Sequence, residues 1–235
     1  MNEHISSAYD RDLEAIQTSI IKMGGLVEDA ILNAGEALAR RDVELAEKVR
    51  AGDKVIDALE AQINEDAART IALRAPVSKD LRVLLTTLRL AASMERIGDY
   101  AKNIAKRTTT LVETPPINGT DGALRRMTRE VQVMLKDALD AYLRRDVTLA
   151  EDVRQRDQDV DQMYNALFRE FLTFMMEDPR NITACMHLHF MAKNVERMGD
   201  LVTNMAEQVI YLTTGELPDD ARPKDDQTAF VSTPE

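Results

Sequence analysis

The chain has 235 residues and a formal net charge of -11; 44% of its residues are hydrophobic, 30% are charged, and it contains no Trp. A field of that sign repels nucleic acid and anionic headgroups, and no Lys/Arg run is long enough to override it, so a nucleic-acid partner is not expected. No stretch approaches 18 uninterrupted apolar residues, and Met1-Asn2-Glu3-His4 lacks the basic and apolar regions of a signal peptide, so the expectation is a cytoplasmic protein without membrane insertion.

Ala, Leu, Met, Glu and Arg are plentiful, and only nine Gly and seven Pro interrupt them, which predicts an all-α fold. From Asp10 to about Arg40, Leu13, Ile16, Ile20, Met23, Val27, Ala30, Ala34 and Leu38 recur at helical spacing. Ser6 or Ser7 is expected to cap this first helix. Gly24-Gly25 falls inside it, where each glycine costs about 1 kcal/mol, so a kink or a close helix approach is implied, the latter being favoured. A second helix follows Arg40-Arg41-Asp42, places Val49, Gly52, Ile56, Leu59 and Ile63 on one stripe, and reaches about Leu73. Pro76 ends it, and Ser78 is expected to cap a third helix from Lys79 to about Leu111. In that helix Leu81, Leu84, Leu85 and Leu88 project onto one face, which Glu95, Asp99 and Asn103 continue. Met94, Ile97, Ala101 and Ile104 project the opposite way. The expectation is a buried face that turns from leucine to carboxylate partway along.

Glu113 to Asp121 is rich in Pro, Gly, Asn and Thr and reads as a linker, assigned to residues 114–121. Beyond it the pattern recurs: a fourth helix through Leu124, Met127, Val131, Met134, Ala138 and Ala141, a fifth from about Val147 to Met176, and a sixth from about Ile182 to Leu212. Asp178-Pro179 separates the last two. Residues 214–235 have six acids, two bases and no periodicity, and are expected to be a disordered tail. The single cysteine, Cys185, has no partner for an internal disulfide and is expected to be a plain buried thiol, as in a reducing compartment.

The recurrence is a duplication. Arg40 to Arg50 aligns with Arg144 to Arg154 at nine of eleven positions, an offset of 104 residues. Glu95-Arg96-Ile97-Gly98-Asp99, followed by Asn103, matches Glu196-Arg197-Met198-Gly199-Asp200, followed by Asn204, at an offset of 101. Two tandem, pseudo-symmetric three-helix units are expected, residues 1–113 and 122–213.

Each motif copy places two carboxylates and an amide four residues apart, about 40° and 6 Å per step along one helix face. Like charges at that spacing disfavour a helix, which suggests a cation or a positively charged partner. Asp53 and Asp57 match Asp157 and Asp161 at the offset of 104, giving a second acid pair in each unit. Asp57 lies 19 residues before Pro76 and Glu95 lies 19 after it, so the two pairs are expected level on antiparallel helices, about 30 Å below the turn. The candidate metal ligands are therefore Asp53, Asp57, Glu95, Asp99 and Asn103, and Asp157, Asp161, Glu196, Asp200 and Asn204. Such oxygen sets suit hard cations, with more than one ion within reach of bridging carboxylates. The competing reading pairs these acids with Arg96, Lys102, Arg197 or Lys193. His189 lies seven residues before Glu196, but its counterpart is Leu88, so any role is confined to the second unit. No Glu-x-x-His, Gly-rich phosphate loop or nucleophile set is present, so catalysis is not expected.

The two Glu-Arg-hydrophobic-Gly-Asp blocks, each followed by Asn, resemble the signature of the PhoU family. Met23-Gly24-Gly25-Leu26-Val27-Glu28 and Ala75-Pro76-Val77-Ser78-Lys79-Asp80-Leu81-Arg82 agree with it, and the likeness covers residues 4–213. The resemblance implies a cytoplasmic homodimer that represses the phosphate regulon, linking the ATPase subunit of the phosphate-specific ABC transporter to a phosphate-sensing histidine kinase. It also implies metal clusters on the acid-x-x-x-acid pairs, with Mg, Mn, Fe or Zn as cofactor. Positions 100 and 201 are Tyr and Leu, where a His often follows the Gly-Asp, which removes a nitrogen ligand and leaves the metal open. The alternatives are a carboxylate-bridged metalloenzyme acting on phosphate esters and a metal-free helical adaptor.

Overall fold

The structure, a computed structural model, describes residues 2–117 and 119–219, and side chains from Ala8 onward. Six helices account for most of it: α1 (Asn2–Arg40), α2 (Val43–Arg74), α3 (Lys79–Leu111), α4 (Thr120–Arg144), α5 (Val147–Glu177) and α6 (Ile182–Thr214). Within each half the three helices pack on one another; between halves, α1 packs on α4 and α3 on α6, leaving α2 and α5 on the flanks. The fold is all-α, two tandem three-helix bundles sharing one apolar core.

The repeated Arg-Arg-Asp turns show how sequence sets this up. Arg41 and Arg145 both adopt left-handed backbone, with φ of 54° and 57°. The next residue then caps the following helix in both units: Asp42 Oδ1 accepts from the Leu45 N–H at 2.9 Å and Asp146 Oδ1 from that of Leu149 at 3.0 Å. Arg41 also reaches the end of α3, where its Nη2 donates to the carbonyls of Leu111 (2.6 Å), Val112 (2.9 Å) and Thr114. These carbonyls cluster at the C-terminal end of α3, where a cation suits the negative end of the dipole.

Several sequence expectations change. Helix α1 already runs from Asn2, so Ser6 and Ser7 lie inside it rather than at its start. Ser78 occupies the cap position of α3, but its side chain makes no capping hydrogen bond. Thr120 and Asp121, placed in the linker by composition, belong to α4. Helix α6 ends at Thr214 with Gly215 left-handed at φ 94°; of the expected tail, residues 220–235 lie outside the described residues. Within α1, a Cβ on Gly24 would run into Leu139 of α4, whereas one on Gly25 would meet open space. Close approach therefore explains Gly24 alone, and α1 continues through both without a break. Cys185 is buried and free, and burial raises its thiol pKa.

The largest correction concerns α3. Its buried stripe runs the whole length through Leu84, Ala91, Met94, Gly98, Ala101, Ala105 and Thr108. Leu81 and Leu88 are only half-buried and Leu85 is exposed. Glu95 and Asp99 thus continue the helix's wetter edge, and no buried face turns from leucine to carboxylate.

Candidate functional site

In the first unit α2 supplies Asp53, which is buried, and Asp57, which is exposed; α3 supplies Glu95 and Asp99, both half-buried. The helices meet closely here because of Gly98. A Cβ on it would stand 3.1 Å from Ile56 Cδ1 and 3.7 Å from Asp53 Oδ1. The glycine of the Glu-Arg-x-Gly-Asp motif is therefore a packing residue that lets the acid-bearing helices touch. Lys102 crosses the seam: its Nζ donates to Asp53 Oδ2 and, at 2.7 Å, to Asp99 Oδ1. Both bonds hold the ammonium charged and raise its pKa. The other Asp53 oxygen, Oδ1, is buried with no hydrogen-bond partner. Such an unmet group costs about 1–3 kcal/mol.

The remaining acids repel each other. Burial raises the pKa of Glu95, and Asp99, Asp57, Glu60 and Asp53 raise it further. Asp57 rises through burial and through Asp53, with Lys102 opposing. Lys102 bridging Asp53 and Asp99, with Gly98 set against Asp53, places the two helices in the register that the equal distances from Pro76 implied. Glu60 is a member that repeat matching overlooked: its counterpart is Tyr164, so duplication hid it. The signal was present in its place three residues after Asp57, on the same helix face.

The second unit is drier. Asp157, Asp161 and Glu196 are buried, at 2%, 4% and 6% exposure, and Asp200 is half-buried. Gly199 does what Gly98 does: a Cβ on it would lie 3.1 Å from Asp157 Oδ1 and 3.3 Å from Val160 Cγ1. The cation enters from elsewhere. Lys193 Nζ donates to Glu196 Oε1 at 2.9 Å, while Glu196 Oε2 is buried without a hydrogen-bond partner. Burial raises the Glu196 pKa, Lys193 opposes, and Asp200 and Asp161 add to the rise. The lysines do not correspond: Thr203 stands opposite Lys102 in the repeat and Ala92 opposite Lys193. Two units with matched acids have thus found unmatched counter-charges. Arg96 and Arg197, the other cations considered, are exposed.

His189 sits among aromatic rings, with centroids of Phe168, Phe190 and Tyr164 at 5.3, 5.7 and 6.0 Å. Asn103 and Asn204 are exposed, and Asn103 lines a groove between α3 and α6. Among the described residues, no three His, Cys, Asp or Glu side chains converge closely enough to hold a metal as placed. The all-oxygen donors and the unmet oxygens of Asp53 and Glu196 nonetheless fit a hard cation chemically. Lys102 pairs with Asp53 and Asp99, and Lys193 with Glu196.

The family model described as "PhoU domain" matches the chain twice, at residues 20–108 and 124–209. The chain belongs to the PhoU family. Its relatives include the phosphate-specific transport system accessory protein PhoU homologs of Rhizobium meliloti (strain 1021), 44% identical over 97% of this chain and 96% of the relative, and of Caulobacter vibrioides (strain NA1000 / CB15N), 46% identical over 95% and 97%. Among solved structures, PhoU from Pseudomonas aeruginosa superposes with a TM-score of 0.86 at 38% identity, covering 88% of this chain and all of that one. The phosphate transport system regulatory protein PhoU from Streptococcus pneumoniae gives 0.83 at 31% identity, covering 90% and 99%. Each PhoU match contains one complete acid set, and both stop short of residues 214–235.

Proposed function

We propose that the protein is an accessory regulator of phosphate-specific transport, working in the cytoplasm as a homodimer and without catalytic activity of its own. It holds the phosphate regulon off when phosphate is plentiful by linking the transporter's ATPase subunit to a phosphate-sensing histidine kinase. What supports this most is the near full-length likeness to relatives that carry the accessory-protein name. No helix among the described residues is long and apolar enough to cross a membrane, which suits a partner that docks on membrane proteins from one side.

In this reading the acid sets are binding surfaces. Asp53, Asp57, Glu95 and Asp99, and Asp157, Asp161, Glu196 and Asp200, would hold Mg, Mn, Fe or Zn ions. A bound metal would neutralise the crowded carboxylates and present a fixed positive charge to an acidic partner. Asn103 and Asn204 extend the rows toward solvent. A second reading is a metal-free adaptor, favoured by Lys102, which already bridges Asp53 and Asp99.

The test is genetic. Deleting the gene should leave a phosphate-starvation reporter on in phosphate-rich medium, and the wild-type chain should restore repression. A reporter that stays repressed in the deletion strain would remove the regulatory assignment.

A further inference from the structure

A groove of about 460 Å³ lies between α3 and α6. Its charged lining is Lys106, Arg107 and Arg197, joined by His187, and no acid lines it. None of the three cations has a carboxylate partner among the described residues, in a chain whose net charge is -11. Arg107 is held by rings. Its guanidinium carbon lies 4.5 Å from the Phe190 centroid, and its Nη1 is 3.2 Å from His187 Nδ1. Neither contact neutralises the charge, so a fixed guanidinium faces the groove unmet. Phe190 is itself 44% exposed.

The duplication supplies an internal control. Helices α3 and α6 are repeat partners, so their contact is pseudo-symmetric and each end of it has an equivalent. Across the offset of 101, Lys106 becomes Glu207, Arg107 becomes Gln208, His187 becomes Thr86 and Phe190 becomes Arg89. At that end Arg89 Nη1 donates to Gln208 Oε1 at 2.6 Å, a closed pair. The same two helices therefore make a cationic, ring-backed groove at one end and a self-satisfied polar contact at the other. Helix packing alone does not account for the difference.

We propose that this groove binds a phosphate group, either as inorganic phosphate or borne on a small flat-ringed molecule of nucleotide size. Guanidinium forks match phosphate oxygens in charge and geometry, and Lys106 adds a point charge. Asn103, Thr110 and Asn194 supply neutral donors at the same wall. The volume falls in the roughly 300–1,000 Å³ range of small-molecule sites, and the open part of Phe190 offers a stacking face. Of the candidate metal ligands the site shares only Asn103, and its cations are outside both sets.

The test is calorimetric titration of the full chain, in chelator, with AMP, inorganic phosphate, adenosine and poly-glutamate. AMP should saturate, adenosine should bind at least roughly tenfold more weakly, and Arg107→Gln or Arg197→Gln should weaken AMP roughly tenfold. Arg89→Gln, at the equivalent end, should leave AMP binding unchanged. Inorganic phosphate as tight as AMP identifies the bare anion as ligand; tighter AMP shows that the ring contributes; either supports the site. Absence of AMP and phosphate binding, AMP binding indifferent to both groove variants in folded protein, or binding of poly-glutamate alone would overturn it.

Discussion

Glu95 shows at the level of one side chain what the acid sets cost. It is half-buried and faces Asp99, Asp57 and Glu60, so its carboxyl holds its proton more tightly in the folded chain than in the unfolded one. The folded state therefore binds more protons than the unfolded state in the interval between the ordinary carboxylate pKa and the raised one. Stability falls as pH rises through that interval and recovers as pH falls through it. Asp57 and Glu196 act in the same direction. Glu95→Gln removes the charge and should raise the melting temperature of chelated protein near neutral pH, by an amount on the scale of a few tenths of a kcal/mol. The gain should vanish near pH 4, where the wild-type side chain is largely neutral. Thermal melts at the two pH values read this directly, and an unchanged or lowered melting temperature at neutral pH would contradict it. Lys102 was legible in the sequence only as one of four possible cations, because reach across two helices, not spacing on one, decides which of them arrives.

Among the elements, the six helices and their ends near Pro76 and Pro179 were readable because periodicity and breakers act locally. The buried face of α3 was not. Leu81, Leu84, Leu85 and Leu88 read as core by hydrophobicity, yet α3 packs against α1, α2 and α6 together, and tight packing on several sides selects Ala91, Gly98, Ala101 and Ala105. Gly98 and Gly199 looked like part of a binding motif and prove to be contact points between helices. Their neighbours differ. Gly98 faces the flexible end of Ile56, whereas Gly199 faces stiff Val160 and buried Asp157. In Gly98→Ala the gain in helix propensity, about 1 kcal/mol, should offset the shift of Ile56 and leave stability nearly unchanged. Gly199→Ala should lose about 1 kcal/mol or more net, because its neighbours have less room to give. Urea unfolding of the two variants would contradict this if the order were reversed.

Across the molecule, duplication made the two acid sets visible and also concealed their differences. Glu60 has no repeat partner, the two lysines stand at unrelated positions, and the first set is open to solvent through Asp57 where the second is buried. The basic groove between α3 and α6 was not legible in the sequence because its cations lie on two helices with α4 and α5 between them in the chain. Matched acids thus survive in units whose surroundings have diverged, as expected if the acids are kept for binding and their counter-charges are local solutions. Metal content after dialysis against Mn²⁺ tests that claim most directly, comparing wild type with Glu95→Ala/Asp99→Ala and Glu196→Ala/Asp200→Ala. The wild type should retain metal, both double variants should retain less, and the first should lose more because its set is the more accessible. Equal metal in all three proteins, or none retained in any, would contradict the assignment of the acid sets as cation sites.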